Sequence, residues 1–305
     1  MFLSQIVSSL IICLLILLSV AFFTLFERKV IGLFHLRVGP DKVSFVGIAQ
    51  PLLDAFKLLT KQPITPFKSN KIFYSTSPLL ALLLGLIVWT LIPRVYLSLT
   101  LNYSFFLFFC ISSFMVFRVL LSGWSSNSKY SLIGSLRSIA QSISYEVVFR
   151  TLLITLIVLS LSYRIYSFHV MSSLGFLIFF YPWVVCTLAE THRAPFDFSE
   201  SESELVSGFN TEYSGANFAF IFLSEYCVLL FSCMLMVMIF FGRLIPNLLT
   251  VLSLSLSTIV LSFLFIWIRI TFCRFRYDFL IIIAWKSLLP FTILLILIVF
   301  SLLCV

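Results

Sequence analysis

Long apolar runs separated by short polar segments dominate the chain. A run of about 18 or more apolar residues is long enough to cross a bilayer as a helix. Breaking the sequence at charges and at Pro, Gly and Asn leaves eight such runs, at 3–26, 72–93, 101–121, 139–162, 168–189, 216–241, 249–269 and 279–304. The pattern predicts an all-α polytopic membrane protein with eight transmembrane helices, forming a single membrane domain over residues 1–305.

The composition excludes a water-soluble globular protein. Of the 305 residues 61% are hydrophobic and 10% are charged, and the mean hydropathy is +1.14. The first 26 residues carry no charge and follow no basic segment, so they are expected to be a spanning helix that is retained, not a cleavable signal. The 36 phenylalanines point weakly to coding by a U-rich organellar genome.

The net charge of +8 is distributed unevenly along the chain. Counted over alternate loops, Lys and Arg number eight in 27–71, three in 118–138, one in 190–217 and three in 269–278, whereas the opposite loops hold three. This asymmetry predicts that the basic face is the cytoplasm or the mitochondrial matrix and that both termini lie opposite. Because topology explains the surplus, nucleic-acid binding is not needed to account for it.

The long segment 27–71 contains a second helical pattern, at about 47–61. Pro51 suits a first helical turn. Apolar and charged side chains lie on separate stripes, Leu52, Phe56 and Leu59 against Asp54, Lys57 and Lys61. This stretch is too short and too charged to span the membrane, so we expect an amphipathic helix in the interface.

Four charged residues fall seven or more residues inside predicted spans, where a charge costs at least about 2.5 kcal/mol unless it is paired or hydrated. Glu146 and Arg150 lie four residues apart on one helix face, as a structural ion pair or a functional one. Glu225 has no basic residue within a turn, which favours a proton-carrying role. Lys286 is a candidate partner for Glu225 or for another carboxylate.

The segment 189–215 concentrates half of the acidic residues of the chain. They are Glu190, Asp197, Glu200, Glu202, Glu204 and Glu212. A run of charges usually forms a solvated surface loop. The interleaved Phe196, Phe198, Leu205, Val206, Phe209 and Tyr213 indicate instead that this segment packs against other parts of a protein.

No pattern for a resident cofactor is visible. The three histidines and seven cysteines show no paired ligand spacing, and there is no glycine-rich nucleotide-binding motif. The sequence therefore predicts no metal, haem, iron–sulfur, flavin or nucleotide site in this chain.

Five strings carry a resemblance that runs from the first span to the last. They are ERKVIGLFHLRVGPDKV (27–43), QPLLDAFKLLTKQ (50–62), SGWSSNSKYSLIGSLRSIAQSISYEV (122–147), AETHRAPFDFSESESELVSGFNTEY (189–213), and RFRYD followed by WK and LP between 274 and 290. Together they closely resemble the mitochondrially encoded chain 1 family of NADH:ubiquinone oxidoreductase, respiratory complex I.

The resemblance implies a core subunit of the membrane arm in the mitochondrial inner membrane, with both termini in the intermembrane space. Such a subunit forms the ubiquinone entry tunnel and lower chamber and couples quinone reduction to proton translocation. It binds no redox cofactor; NADH, FMN and iron–sulfur clusters belong to other subunits. The implied partners are the hydrophilic quinone-site subunits, small membrane-arm subunits, ubiquinone and lipids such as cardiolipin.

The resemblance also implies roles for individual residues. The quinone tunnel would include Arg28, Arg37, Phe56, Lys57 and Phe209. The proton path would include Glu146, Glu190, Glu202, Glu204, Glu212 and Glu225. Structural charges would be Arg150, Arg274, Arg276, Asp278 and Lys286. Gly208 and Gly215 are expected hinges of the acidic segment.

Three positions depart from the family pattern. Asp41 stands where Asn is usual, and Cys273 stands where Pro is usual. Arg150 beside Glu146 is outside the pattern, which raises the question of whether Glu146 is free to take up protons in this chain.

Three alternatives remain open at the level of sequence. The first is a separate proton or cation carrier that uses Glu146, Glu225 and Lys286. The second is the related membrane subunit of energy-converting hydrogenases, although the LVSGFNTEY string favours the mitochondrial form. The third is a structural anchor whose carboxylates only hold subunits together.

Overall fold

The computed structural model describes residues 2–92, 103–165, 173–197, 208–241 and 248–304, and every regular element in these ranges is helical. The helices are α1 (Phe2–Phe34), α2 (Gln50–Thr60), α3 (Lys71–Val88), α4 (Ser104–Ser125), α5 (Lys129–Ser160), α6 (Ser173–Glu190), α7 (Gly215–Phe241), α8 (Leu248–Thr271), α9 (Tyr277–Ile282) and α10 (Leu289–Cys304). A π-helical stretch, Ile283–Leu288, joins the last two.

Within the described ranges, seven spans are long and apolar enough to cross a membrane: α1, α3, α4, α5, α7, α8 and the combined stretch from α9 to α10. The remaining predicted span, 168–189, corresponds to α6, whose side chains are described from Ile178 onward. The all-helical membrane fold is thus confirmed, and the count of eight spans stays a prediction.

Two helices extend well beyond their predicted limits. The run 3–26 was ended at the first charge, but α1 continues to Phe34, with Glu27 buried. The run 139–162 belongs to a helix that begins at Lys129, ten residues earlier than predicted. Here the buried hydroxyls of Ser135 and Ser138 donate to carbonyls three residues back, which satisfies polar groups inside a helix.

A helix is confirmed within the predicted stretch 47–61 as α2, with Pro51 in its first turn, and its place in the membrane interface stays a prediction. Arg28 of α1 forms an ion pair with Asp54 of α2, at 2.6 Å between Nη1 and Oδ2. Beyond α2, the Ile64 amide donates to Ser214 Oγ at 3.0 Å, immediately before α7. These contacts hold α2 against the bundle, and Phe56 on its outer face is 64% exposed.

Helices α5 and α7 form the centre of the bundle. α5 packs on α4, α6 and the last span, and α7 packs on α1, α2, α3, α6 and α8. Aromatic side chains fill the space between them. The Phe149 and Trp183 rings lie 4.7 Å apart, and Trp183 meets Phe240 edge to face at 5.8 Å. This arrangement buries the polar residues of α4, α6 and α7 in the middle of the molecule.

Candidate functional site

The beginning of the acidic segment is held inside the bundle. The Gln141 amide on α5 donates to the backbone carbonyls of Ala189 and Phe196 at 2.9 and 2.8 Å. The Phe275 amide donates to the Pro195 carbonyl at 3.2 Å. Residues 191–197 therefore pack among the helices, in line with the prediction from the interleaved apolar side chains and against a solvated surface loop.

The end of the segment packs on α3, α4 and α5. Gly208, with φ of 59°, lies so close to α5 that a Cβ added at Gly134 would come within 2.9 Å of its backbone. The Tyr213 ring stacks on Tyr74 at 4.4 Å, and its hydroxyl lies 3.0 Å from Ser77 Oγ. Burial raises the pKa of Tyr213, so it stays a neutral hydrogen-bonding group.

One cluster of buried charges centres on Glu27 of α1. Its carboxylate forms ion pairs with Arg269 of α8 and, at 3.6 Å, with Arg193, and accepts a 2.7 Å hydrogen bond from the Tyr226 hydroxyl of α7. The Arg193 guanidinium also lies 4.2 Å above the Tyr226 ring. These contacts join three helices to the segment after α6.

The pKa of Arg193 reflects this environment. Burial alone would lower the pKa of Arg193, but Tyr226 and the carboxylates of Glu27 and Glu225 raise it overall. Arg193 is therefore a permanent cation shared between Glu27 and Glu225.

A second charged group surrounds Glu225 on α7, which is 6% exposed. Its carboxylate interacts electrostatically with Arg118 and Arg193, and repulsively with Asp197. Arg118 on α4 is also buried and donates to Ser224 Oγ at 2.7 Å. Glu225 thus has basic partners from other parts of the chain, whereas Lys286 is exposed on the outside.

A third group lies between α4, α5 and α6. Glu146 pairs with Arg150 one turn along α5 and accepts a 2.9 Å hydrogen bond from Ser112 Oγ. Arg150 also donates to the Phe109 carbonyl at 3.2 Å. The sequence prediction of an ion pair between Glu146 and Arg150 is confirmed in geometry. Glu190 faces this group from the end of α6.

Two small cavities adjoin the second and third groups. The first, of about 30 Å³, is lined by the polar side chains of Ser112, Arg118, Ser142, Glu146, Glu190 and His192 together with Met115 and three valines. The second, of about 20 Å³, continues toward Ser232 between apolar side chains. Ser112 and Glu190 line both cavities. Each has room for at least one water molecule, and the polar walls of the first supply the partners such a water requires.

Comparison with known proteins gives a consistent result over nearly the whole chain. The family model described as NADH dehydrogenase matches residues 7–300. The NADH-ubiquinone oxidoreductase chain 1 of Aedes aegypti is 45% identical over 297 residues, which cover 96% of this chain and 94% of that one. The proteins of the same name from Locusta migratoria and Tetraodon nigroviridis are 46% and 44% identical over 93% and 91% of this chain. They are covered over 90% and 88% of their own lengths.

The chain belongs to the NADH dehydrogenase family. The residues predicted for a quinone tunnel lie in two separate parts of the structure. Arg28 meets α2 through Asp54, and Arg37, Phe56 and Lys57 have exposed side chains. Phe209 is 2% exposed and packs in a separate apolar cluster with Tyr74, Val119, Tyr213 and Ile221.

The residues predicted for a proton path are brought together only in part. Glu146 and Glu190 line the same cavity. Glu225 does not line it but interacts electrostatically with Arg118, which does. Glu212 lies at the far end of the segment, where its backbone carbonyl accepts from the Tyr74 hydroxyl at 2.5 Å. Glu202 and Glu204 lie outside the described residues, as does Glu200.

The predicted structural charges differ in their surroundings. Arg274 lies 3.8 Å from Asp197 and so links the loop before α9 to the acidic segment. Arg276 and Asp278 pair with each other at 3.3 Å on an exposed surface. Lys286 lies in the π-helical stretch with its side chain exposed. In the part of the chain that the structure describes, no three His, Cys, Asp or Glu side chains gather as a metal site.

Four residues of this candidate site were missed from the sequence: Glu27, Arg118, His192 and Arg269. All four were counted with the loops, although Arg118 and Arg269 also fall within the predicted spans 101–121 and 249–269. The available signal was their position, since Arg118 and Arg269 lie inside or at the edge of continuous apolar runs. A charge in such a place requires a buried partner.

Proposed function

We propose that this chain is a core membrane-arm subunit of proton-translocating NADH:ubiquinone oxidoreductase in the mitochondrial inner membrane. Family membership and the names of its relatives support the assignment. In this role it assembles with the hydrophilic quinone-site subunits and small membrane-arm subunits, in contact with ubiquinone and lipids such as cardiolipin. NADH, FMN and iron–sulfur clusters are held by those other subunits. The asymmetry of Lys and Arg supports placing both termini in the intermembrane space.

The entry of quinone is proposed at α1 and α2. An apolar isoprenoid tail requires an apolar surface at membrane depth, and the outer face of α2 offers Phe56 beside Leu52 and Leu59, all exposed. Arg28, Lys57 and Arg37 supply positive charge around this surface. Phe209 is proposed as a support for the lower chamber wall, because its ring is buried between the acidic segment and α5.

One observation carries the proposed coupling role: ionisable side chains from α4, α5 and α6 line one pair of cavities in the bundle, and Glu225 of α7 interacts with Arg118 at their edge. Buried carboxylates near room for water are a common arrangement for proton transfer. Reduction of quinone changes the charge next to the acidic segment. The segment rearranges at Gly208 and Gly215, and Glu225, Glu190 and Glu146 respond by exchanging protons.

Membership of the complex is tested by native electrophoresis of gently solubilised inner membranes with an NADH dehydrogenase stain. Mass spectrometry should find this chain in the stained band. If the chain migrates alone, the separate carrier that was considered from the sequence becomes the better account.

Quinone entry is tested by photolabelling the intact complex with an azidoquinone and mapping the labelled peptides. Label is expected within residues 28–62 and should decrease when excess ubiquinone is added. Label confined to the last span, with none in 28–62, would contradict the proposed tunnel entrance.

A further inference from the structure

His192 is buried beside the polar cavity, and it is not one of the residues of the proposed proton path. It lies two residues beyond the end of α6, its side chain is 7% exposed, and its ring lines the 30 Å³ cavity. Its Nδ1 atom is buried and has no hydrogen-bond partner among the residues that the structure describes. A buried nitrogen without a partner is costly, and a water molecule in the adjoining cavity would satisfy it.

The groups around this cavity come from every element packed against it. They are Arg118 on α4, Glu146 and Arg150 on α5, Glu190 on α6 and Glu225 on α7. Arg118 lines the cavity and also interacts with Glu225, and its Nε atom is buried with no partner among the described residues. A free hydronium ion passing this guanidinium would be strongly repelled.

We propose that His192 relays protons between Glu225 and the pair formed by Glu190 and Glu146, through water in the polar cavity. The proposal rests on the proposed function, because it requires the buried carboxylates to exchange protons during turnover. It assigns a role to a residue outside the acidic path that the sequence predicted.

The relay step conserves charge and needs no oxidant or reductant. With its hydrogen on Nε2, the imidazole accepts a proton at Nδ1 from a water molecule that takes one from protonated Glu225 in the same step, so no free hydronium ion forms. The N–H bond at Nε2 breaks, and that proton passes through cavity water to an ionised carboxylate of the pair formed by Glu190 and Glu146. The ring is neutral before and after the exchange, in opposite tautomers, and rotation or the reverse exchange with cavity water resets it.

A neutral relay suits this position because of Arg118. Burial and the Arg118 guanidinium lower the pKa of His192 to about 3, so a proton does not remain on the ring. Transfer in at one nitrogen and out at the other avoids accumulation of positive charge next to Arg118.

The test measures proton translocation and NADH:quinone reduction together, in proteoliposomes that contain the assembled complex. In His192→Gln the amide forms hydrogen bonds with water but does not exchange protons in this way. We expect proton translocation to fall by about tenfold or more, on the scale of a lost acid–base group, with electron entry to an artificial acceptor unchanged. His192→Asn, a smaller side chain for the same space, should show the same loss.

The matched control is Trp183→Phe. Trp183 is fully buried and its Nε1 has no hydrogen-bond partner among the described residues, but it does not line either cavity around Glu190. Proton translocation should be retained in this variant. An equal loss in both would indicate a structural role and overturn the relay.

The outcomes separate this relay from the proposed function. If both His192 variants translocate protons normally while Glu225→Gln does not, the relay is wrong and the acidic path stands. If Glu225→Gln and Glu190→Gln also translocate normally, the acidic path itself fails.

Discussion

The charges around Glu27 and the charges around the polar cavity lie in the same bundle but are compensated very differently. Glu27 meets two guanidiniums and a phenol hydroxyl, and all of these partners are held in place by separate elements. Beside the cavity, Arg118 and His192 each retain a buried nitrogen without a partner among the described residues, as does Arg193 at Nη2 in the Glu27 cluster. A carboxylate held by three fixed partners therefore acts as a structural charge, whereas a carboxylate or imidazole that borders space for water has a route for proton exchange.

The largest expected effect is on stability at the first cluster. Glu27→Gln would leave Arg193 and Arg269 without their shared carboxylate, and removing one partner of a buried ion pair costs about 3–5 kcal/mol. We expect little assembled complex and a much lower inactivation temperature. Asp278→Asn is the control, because that carboxylate is exposed and paired only with Arg276. Equal stability of the two variants would show that the Glu27 cluster is not structural.

A smaller loss is expected where the acidic segment touches α5. In Gly134→Ala the new Cβ would lie 2.9 Å from the backbone of Gly208 and Phe209. Backbone atoms cannot rotate away, so we expect a destabilisation of about 1–3 kcal/mol. Gly85→Ala is the control, since its nearest contact is 3.3 Å. Thermal inactivation of the complex measures both, and a Gly134→Ala variant as stable as the unsubstituted protein would contradict this close approach.

The pH dependence of stability should report the environment of His192. The folded side chain stays neutral down to about pH 3, whereas an unfolded histidine gains a proton near pH 6.5. The unfolded chain therefore binds more protons in this window, and stability should fall by about 1.4 kcal/mol per pH unit below about pH 6.5.

His192→Asn should remove this contribution, so its inactivation temperature should decrease less between pH 7 and pH 5 than that of the unsubstituted complex. Identical pH profiles would mean that His192 is not held neutral in the folded protein.

The smallest effect is expected at Arg150. Its side chain is 36% exposed, and a partly solvated pair such as Arg150 with Glu146 contributes about 1 kcal/mol or less. Arg150→Met should change the inactivation temperature little, in contrast to Glu27→Gln. A loss as large as that of Glu27→Gln would place this pair with the structural charges and exclude Glu146 from proton exchange.

The sequence was sufficient for the helices, including the amphipathic α2, and for the local pair of Glu146 and Arg150, because these depend on neighbours along one helix. It was insufficient for partners on different helices. Lys286 was a candidate partner for Glu225 or for another carboxylate, but Glu225 interacts with Arg118 and Arg193, and both had been counted with the loops. Hydropathy locates the end of an apolar run, but it does not reveal that a charge at that end is neutralised by another helix.

The central claim is that the cavity carboxylates, and Glu225 first among them, couple quinone reduction to proton translocation. The most direct measurement is the number of protons translocated per NADH oxidised by Glu225→Gln in proteoliposomes, with Asp278→Asn as the exposed control. We expect Glu225→Gln to lose translocation and to depress coupled quinone reduction, with the control unchanged. Full translocation and normal quinone reduction in Glu225→Gln would contradict the account.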